Sequence, residues 1–245
     1  MSGVQTRTDN TKSPFILYGD SYIRDNETIQ QDAGRTTDLA EFTVLGKVKH
    51  STPATVAVVG TGNGTCTGIG FATFGGVIIG TYNLECIIAT AEGGTFKLED
   101  PNSKMLANNL VLNTGAGLAT TFTVGALTFT ITEGGTDFSV ADSFSIVVTA
   151  VEKYVPLAPL AIDGAGMFAG IMLVEDILSA DLVAGDVVGN NVLIGSNCLI
   201  DAEQIVYENS LTADSVLPSG LTIREEMALV GILINDTVQI NRHEN

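Results

Sequence analysis

The sequence predicts a mainly β fold made of many short strands, on three observations. Glycine is abundant at 27 residues, while charged residues make up only 16% of the chain. That composition suits pleated, half-buried surfaces and turns rather than long charged helices. Between Pro53 and Val151, apolar residues recur at every second position, in runs split by Gly, Asn and Asp. The period is that of a strand, whose successive side chains point to opposite faces. Only one segment, after Thr222, carries a helix signature.

Taken in order, residues 1–13 are polar and small and end at Pro14, which reads as an N-terminal arm without a fixed fold of its own. "FILY", Phe15 to Tyr18, is the first apolar cluster, and the turn signal Gly19-Asp20 follows it. Ser21 to Thr37 is polar again, and "EFTVLGKVK" (Glu41–Lys49) predicts a short strand with Gly46 inside it.

From Pro53 the strand pattern is dense. "ATVAVVG" leads into the Gly-rich "GTGNG" at Gly60–Gly64. "GTYNLECIIA" puts Tyr82, Leu84 and Cys86 on one face, and "GGTFKLEDP" does the same for Phe96 and Leu98. "NNLVLN" is a further strand. "LTFTITEGG" aligns Leu127, Phe129 and Ile131, and "DSFSIVVTA" aligns Phe144, Ile146 and Val148. About seven strands with one wet and one buried face predict an antiparallel sandwich. Phe96, Phe129, Phe138 and Phe144 fall at its inward positions.

After Glu152 the texture changes. "KYVPLAPL" reads as extended, and "AGIMLVEDI" as a strand ending in acids. "GDVVGNNVLIGSNCLIDAEQIVY" reads as short strands around Gly and Asn turns. A helix of about ten residues follows Thr222, its N-cap, with Glu225 at the third helical position and Gly231 as the stop. "ILINDTVQI" closes the chain as a strand.

"DGAGMFAG" (Asp163–Gly170) raises the question of a phosphate loop. Its glycines read G-x-G-x-x-x-G, one residue longer than the dinucleotide fingerprint, and two acids, Glu175-Asp176, follow where a phosphate would be repelled. A turn feeding a strand is the expected reading.

Charge and chemistry narrow the function. Acids outnumber bases 28 to 11, a net charge of −17, which opposes contact with nucleic-acid backbones and anionic lipid. Cys66, Cys86 and Cys198 have neither C-x-x-C spacing nor the number for a disulfide scaffold, and Cys66 and Cys86 could meet across strands. The start of the chain lacks the apolar core of a secretion signal, so synthesis in a cytoplasm is expected. His50 and His243 are too far apart in the sequence, and too few, to suggest a triad or a zinc site. Acidic groups occur at Glu99-Asp100, Asp137 with Asp142, Glu175-Asp176, and Asp201 with Glu203. Such pairs can serve glycoside hydrolysis or hold calcium. These lack the spaced calcium-loop pattern and read as turn acids at strand ends. No catalytic, cofactor or metal residue is assigned, and no enzymatic activity is expected.

Two separated stretches share one pattern. "FTVLGKVK" (Phe42–Lys49) and "EKYVPLAPLAIDGAGMFAGIMLVEDI" (Glu152–Ile177) resemble consecutive parts of lambda-type phage head decoration proteins. "VLIGSNCLIDAEQIVY" and "MALVGILI" resemble that family's following strands and C-terminal helix. The intervening "GNGT…GTYNLEC…GGTFKLEDPN…LTFTITEGGTDFSVADSFSIVV" is similar to an immunoglobulin-like module of phage structural proteins, with Ala141 where the module usually has Gly. The resemblance implies a small mixed, β-clip-like base with one short C-terminal helix, interrupted by an inserted antiparallel β-sandwich. The expected division is an arm at 1–20, base at 21–52, insert at 53–151 and base again at 152–245.

It further implies a structural virion protein on the outer surface of a phage capsid. Its partners would be the major capsid protein and two further copies of itself in a homotrimer, with no nucleic acid and no membrane. The arm would add a strand to the shell, with Phe15, Ile16, Leu17 and Tyr18 as the anchor candidates. The insert would project outward. The alternative is that the insert is a module binding a glycan or host surface, though the absence of Trp disfavours sugar stacking.

Overall fold

The computed structural model describes residues 16–235, apart from residues 74, 114, 116 and 174. Half of it, 50%, is strand and 8% is helical, so the chain is mainly β as the composition predicts. It divides into two compact units. One comprises the residues up to Lys47, Lys153–Leu160 and those from Ala165 onward; the other comprises Val48–Glu152 and Ala161–Gly164.

The second unit is a two-sheet sandwich. One sheet takes β3 (Ala54–Val59), β5 (Gly80–Thr90), β6 (Gly93–Glu99), β7 (Met105–Leu112) and β10 (Ser143–Val148) in the order β3-β10-β5-β6-β7. The other has β4 (Thr65–Phe71), β8 (Ala119–Val124) and β9 (Leu127–Thr132) in the order β4-β9-β8. All of these pairings are antiparallel. Tyr82, Leu84 and Cys86 of β5, Phe96 and Leu98 of β6, and Phe144, Ile146 and Val148 of β10 face one core. Leu127, Phe129 and Ile131 of β9 complete it from the other sheet. Phe138 packs edge-on to Phe96 at 5.1 Å and to Phe144 at 5.9 Å. Each phenylalanine buried this completely contributes roughly 1.5–3 kcal/mol relative to exposure.

The "GTGNG" loop owes its glycines to this packing. A Cβ on Gly64 would lie 2.2 Å from the Phe138 ring and 2.7 Å from the Thr132 carbonyl oxygen. Gly60 adopts φ +143° and approaches the Asp142 carboxylate. Only a residue without a side chain lets the loop lie this close to the ring.

The first unit holds β1 (Ile16–Ile29), β2 (Val44–His50), β11 (Ala150–Pro156), β12 (Phe168–Met172), β13 (Val187–Asp201) and β14 (Ile232–Asn235) in the order β1-β11-β2-β12-β13-β14. β1 also pairs with β13, so the run from β1 to β13 closes on itself. Val44, Ile171, Leu193, Ile200, Ile223 and Met227 form one apolar cluster, and Ile29, Leu39, Leu45, Tyr154 and Leu182 another. Two glycines of the sequence motifs serve close packing. A Cβ on Gly46 would meet the Ala165 carbonyl oxygen at 2.1 Å, and one on Gly170 would meet Val192 at 2.4 Å. "DGAGMFAG" is therefore a turn entering β12.

The helix after Thr222 is α2, Ile223–Leu229, once α1 (Ser179–Ala184) is counted before it. Its capping box is complete. The Thr222 hydroxyl accepts from the Glu225 N–H at 3.2 Å, and the Glu225 carboxylate accepts from the Thr222 N–H at 2.7 Å. Ile223 and Met227, one helical turn apart, face the core.

The structure departs from the sequence reading in four places. β1 runs from Ile16 through the polar stretch to Ile29, including Ile16–Asp20, which the sequence places in the arm. Its partner β13 is one strand of 15 residues rather than several short ones. Backbone pairing with β1 carries both through sequence that has no apolar alternation, and register shifts absorb the irregularities. Gly189, at φ +85°, sits at one such shift instead of ending the strand. β4 and β8, the outer strands of the three-stranded sheet, and the short helix α1 are additions. Thr and Gly dilute the apolar pattern of β4, Thr alone that of β8, and α1 lacks a capping side chain at Leu178.

Candidate functional site

Of the four anchor candidates, Phe15 lies outside the described residues, while Ile16, Leu17 and Tyr18 begin β1. Ile16 is in register with Ile200 of β13, and Tyr18 with Leu199. One backbone edge of this segment is thus paired within the chain. β1 also pairs with β11, at Ile29 opposite Tyr154.

The acidic groups singled out by sequence are turn and loop fasteners. Asp100 accepts from the N–H groups of Asn102 and Lys104 at 2.8 and 2.9 Å. Asp201 accepts from Glu203 N–H at 3.0 Å, Asp176 from Glu41 N–H at 2.7 Å, and Asp137 from Glu92 N–H at 3.1 Å. Asp142 is the most heavily used. Its Oδ1 accepts from Thr61 N–H at 3.0 Å, and its Oδ2 from Gly62 and Ser139 N–H, both at 2.8 Å. Burial alone would raise this carboxyl, but the N–H groups of Ser139, Thr61 and Gly62 outweigh it and hold it below its ordinary value.

Glu133 is the opposite case. It is 2% exposed, and neither carboxylate oxygen has a hydrogen-bond partner among the described residues. Burial raises its carboxyl, the nearby Phe138 backbone N–H offsets part of that without reaching hydrogen-bond geometry, and Asp137 and Glu92 add to the rise. No group of three or more His, Cys, Asp or Glu among the described residues is arranged to hold a metal ion. His50 is buried edge-on against Phe71 at 4.4 Å, and His243 lies outside the described residues. The three cysteines are buried free thiols, and burial pushes Cys66 up to about 12.

Sequence reasoning missed a cavity of about 250 Å³ in the first unit, lined by Ile29, Gln30, Arg35, Leu39, Pro156 and Leu182 among others. The turn at Asp32 builds one wall. Asp32 Oδ1 accepts from Gly34 N–H at 3.1 Å, and its carbonyl oxygen accepts from Arg35 N–H at 3.1 Å. This returns the Arg35 side chain inward, where it is 7% exposed and paired with Glu208. Nη1 donates to Glu208 Oε2 at 3.1 Å, and Nη2 donates to the Asp38 carbonyl at 3.1 Å and to Glu208 Oε1. The Glu208 hydrogen bond holds the guanidinium above its ordinary value. The only sequence signal was an arginine within a polar stretch, 173 residues from its partner.

Comparison with family models, with curated proteins and with solved structures finds no match to this chain.

Proposed function

We propose that the chain is a structural virion protein that binds the outer surface of a phage capsid and stabilises the shell. The major capsid protein would be its partner, with two further copies of the chain completing a homotrimer. The observation that carries this reading is a junction. The stretches that resemble consecutive parts of a head decoration protein, Phe42–Lys49 and Glu152–Ile177, are separated by about a hundred residues of sequence. In the fold, β2 and β11 are sheet neighbours, and β12 pairs with β2. The halves of the pattern come together as though the intervening segment were an insertion.

Two further features support it. The acidic groups are engaged in holding turns, the use expected of loop acids in a scaffold. β1 carries the anchor candidates Ile16, Leu17 and Tyr18, and strand addition to a neighbouring protein would act through such a segment. Many weak contacts of this kind, repeated over a shell, sum to firm attachment.

The test is to mix the purified full chain with undecorated shells of the cognate phage, followed by sedimentation and electron microscopy. Co-sedimentation with ordered outer density and raised thermal stability of the shell is expected. A chain that stays in the supernatant with saturating shells overturns the proposal.

A further inference from the structure

We propose that the loop from Glu133 to Asp142 is a proton-operated latch, closed on the sandwich while the Glu133 carboxyl is neutral and swung open when it ionises. Three carboxyl groups meet here. Glu133 follows β9 and is 2% exposed. Asp137 lies further along the same loop, and its Oδ1 accepts from the N–H of Glu92, in the turn between β5 and β6, at 3.1 Å. Among the described residues none of the three forms an ion pair. Neither Glu133 oxygen is open to solvent or has a hydrogen-bond partner. A carboxylate in such a place has lost its water with no compensating contact, so the neutral form is the one that fits. Water cannot reach the charge while the loop stays shut, and ionisation therefore moves the chain.

No neighbour relieves the charge. Asp137 and Glu92 add to its field. Cys86 of β5 also feels Glu133, but burial raises this thiol and keeps it uncharged. The segment before β8 meets the Glu133 backbone through Gly117 and Leu118, and the loop Gly60–Gly64 has no titratable side chain. Asp142 is taken up by the N–H groups of Thr61, Gly62 and Ser139. The way out is short. Gly134 and Gly135 follow Glu133 directly and form the hinge, and residues 135–137 are exposed. Few bonds hold the latch shut. Thr136 N–H donates to Asn63 Oδ1 at 2.8 Å, Asn63 N–H donates to the Thr136 carbonyl at 3.3 Å, and Glu92 N–H donates to Asp137. Opening stops at Phe138, which is fixed in the core, and at the Asp142 fastening beyond it.

Linkage gives the direction. In the closed form Glu133 is held above its ordinary value, by burial first and then by Asp137 and Glu92; in the open form it is solvated. The closed form is favoured most below the ordinary carboxylate range and loses ground as pH rises from that range to the closed-form value. One proton released on opening makes the loss about tenfold in the closed-to-open ratio per pH unit.

The test is amide exchange of the full chain labelled with nitrogen-15, from about pH 5 to 8, above the ordinary carboxylate range. Each rate is divided by its intrinsic value at that pH. Protection at the Thr136 and Glu92 amides is expected to lie below that at Ile146, in the centre of the sandwich, and to fall about tenfold per pH unit before levelling off. In Glu133→Gln, which stays neutral, the same two amides should hold one protection level throughout. A flat profile in the parent chain, an equal slope in Glu133→Gln, or protection at Thr136 equal to that at Ile146 at every pH would each overturn the proposal, the last because the loop would then open only with the whole unit. The parent profile and its comparison with Ile146 decide the matter even without the variant.

Discussion

Replacing Asp142 by Asn tests whether one carboxylate fastens the "GTGNG" loop to the sandwich. The carboxylate accepts three N–H groups, one on Oδ1 and two on Oδ2. An Asn has one acceptor oxygen. Its best orientation keeps Gly62 and Ser139 and turns an NH₂ group toward the Thr61 N–H. One charge-assisted hydrogen bond is lost, the other two become neutral, and a donor faces a donor. At about 1.5–3 kcal/mol for a hydrogen bond to a charged group and about half that for a neutral one, the sum is a loss of about 3–6 kcal/mol. For a unit of roughly 100 residues this lowers Tm by on the order of 15–30 °C. The linkage has a definite sign. The folded Asp142 carboxyl is held below its unfolded value, so its contribution is present above the ordinary carboxylate range. It is lost as pH falls through the folded value. Urea unfolding followed by amide exchange at Thr61, Gly62 and Ser139 reads the second unit without interference from the first. A gap between parent and variant at pH 7 that narrows toward pH 2 is expected. A gap under about 0.5 kcal/mol at pH 7, or one of equal size at both pH values, refutes the reasoning.

Glu133→Gln should stabilise the second unit by about 1–3 kcal/mol at pH 7, because it removes a buried charge that lacks partners. Its folded carboxyl is raised, so the gain should be absent below the ordinary carboxylate range and appear as pH rises through the folded value, which urea titrations at pH 3.5 and 7, values bracketing that range, would read. Gly64→Ala should cost about 1–3 kcal/mol through collision with Phe138 and the Thr132 carbonyl, measurable as a lower thermal midpoint for this unit. Thr222→Ala should cost about 1 kcal/mol in the first unit by removing the capping box, with faster exchange at the Glu225 amide as its local signature. The buried cysteines should resist an aromatic disulfide reagent at pH 8 and react fully once urea unfolds the chain, with Cys66 the slowest because its thiol lies at about 12.

The elements legible in the sequence were those with one wet and one dry face. β5, β6, β9 and β10 announced themselves by alternation, and their inward residues are the core. The helix α2 announced itself through Thr222, Glu225 and Gly231, since capping is chemistry between near neighbours. β1 and β13 gave no such signal. Their stability comes from pairing across more than 150 residues of chain, and backbone hydrogen bonds leave no mark on side-chain periodicity. The Arg35–Glu208 pair and its cavity were equally silent, because an arginine in a polar stretch reads as a solvated one.

By itself the sequence determined which faces of the strands would be buried, where the capped helix begins, and where the texture of the chain changes. These follow from local rules of sterics and solvation that act over a few residues. The tertiary structure alone decided that β1 and β13 would form a long ribbon, that β2 and β11 would lie side by side, and that Gly46, Gly64 and Gly170 would mark close approaches. Those outcomes depend on which distant segments meet, and that is settled by packing among all the strands at once.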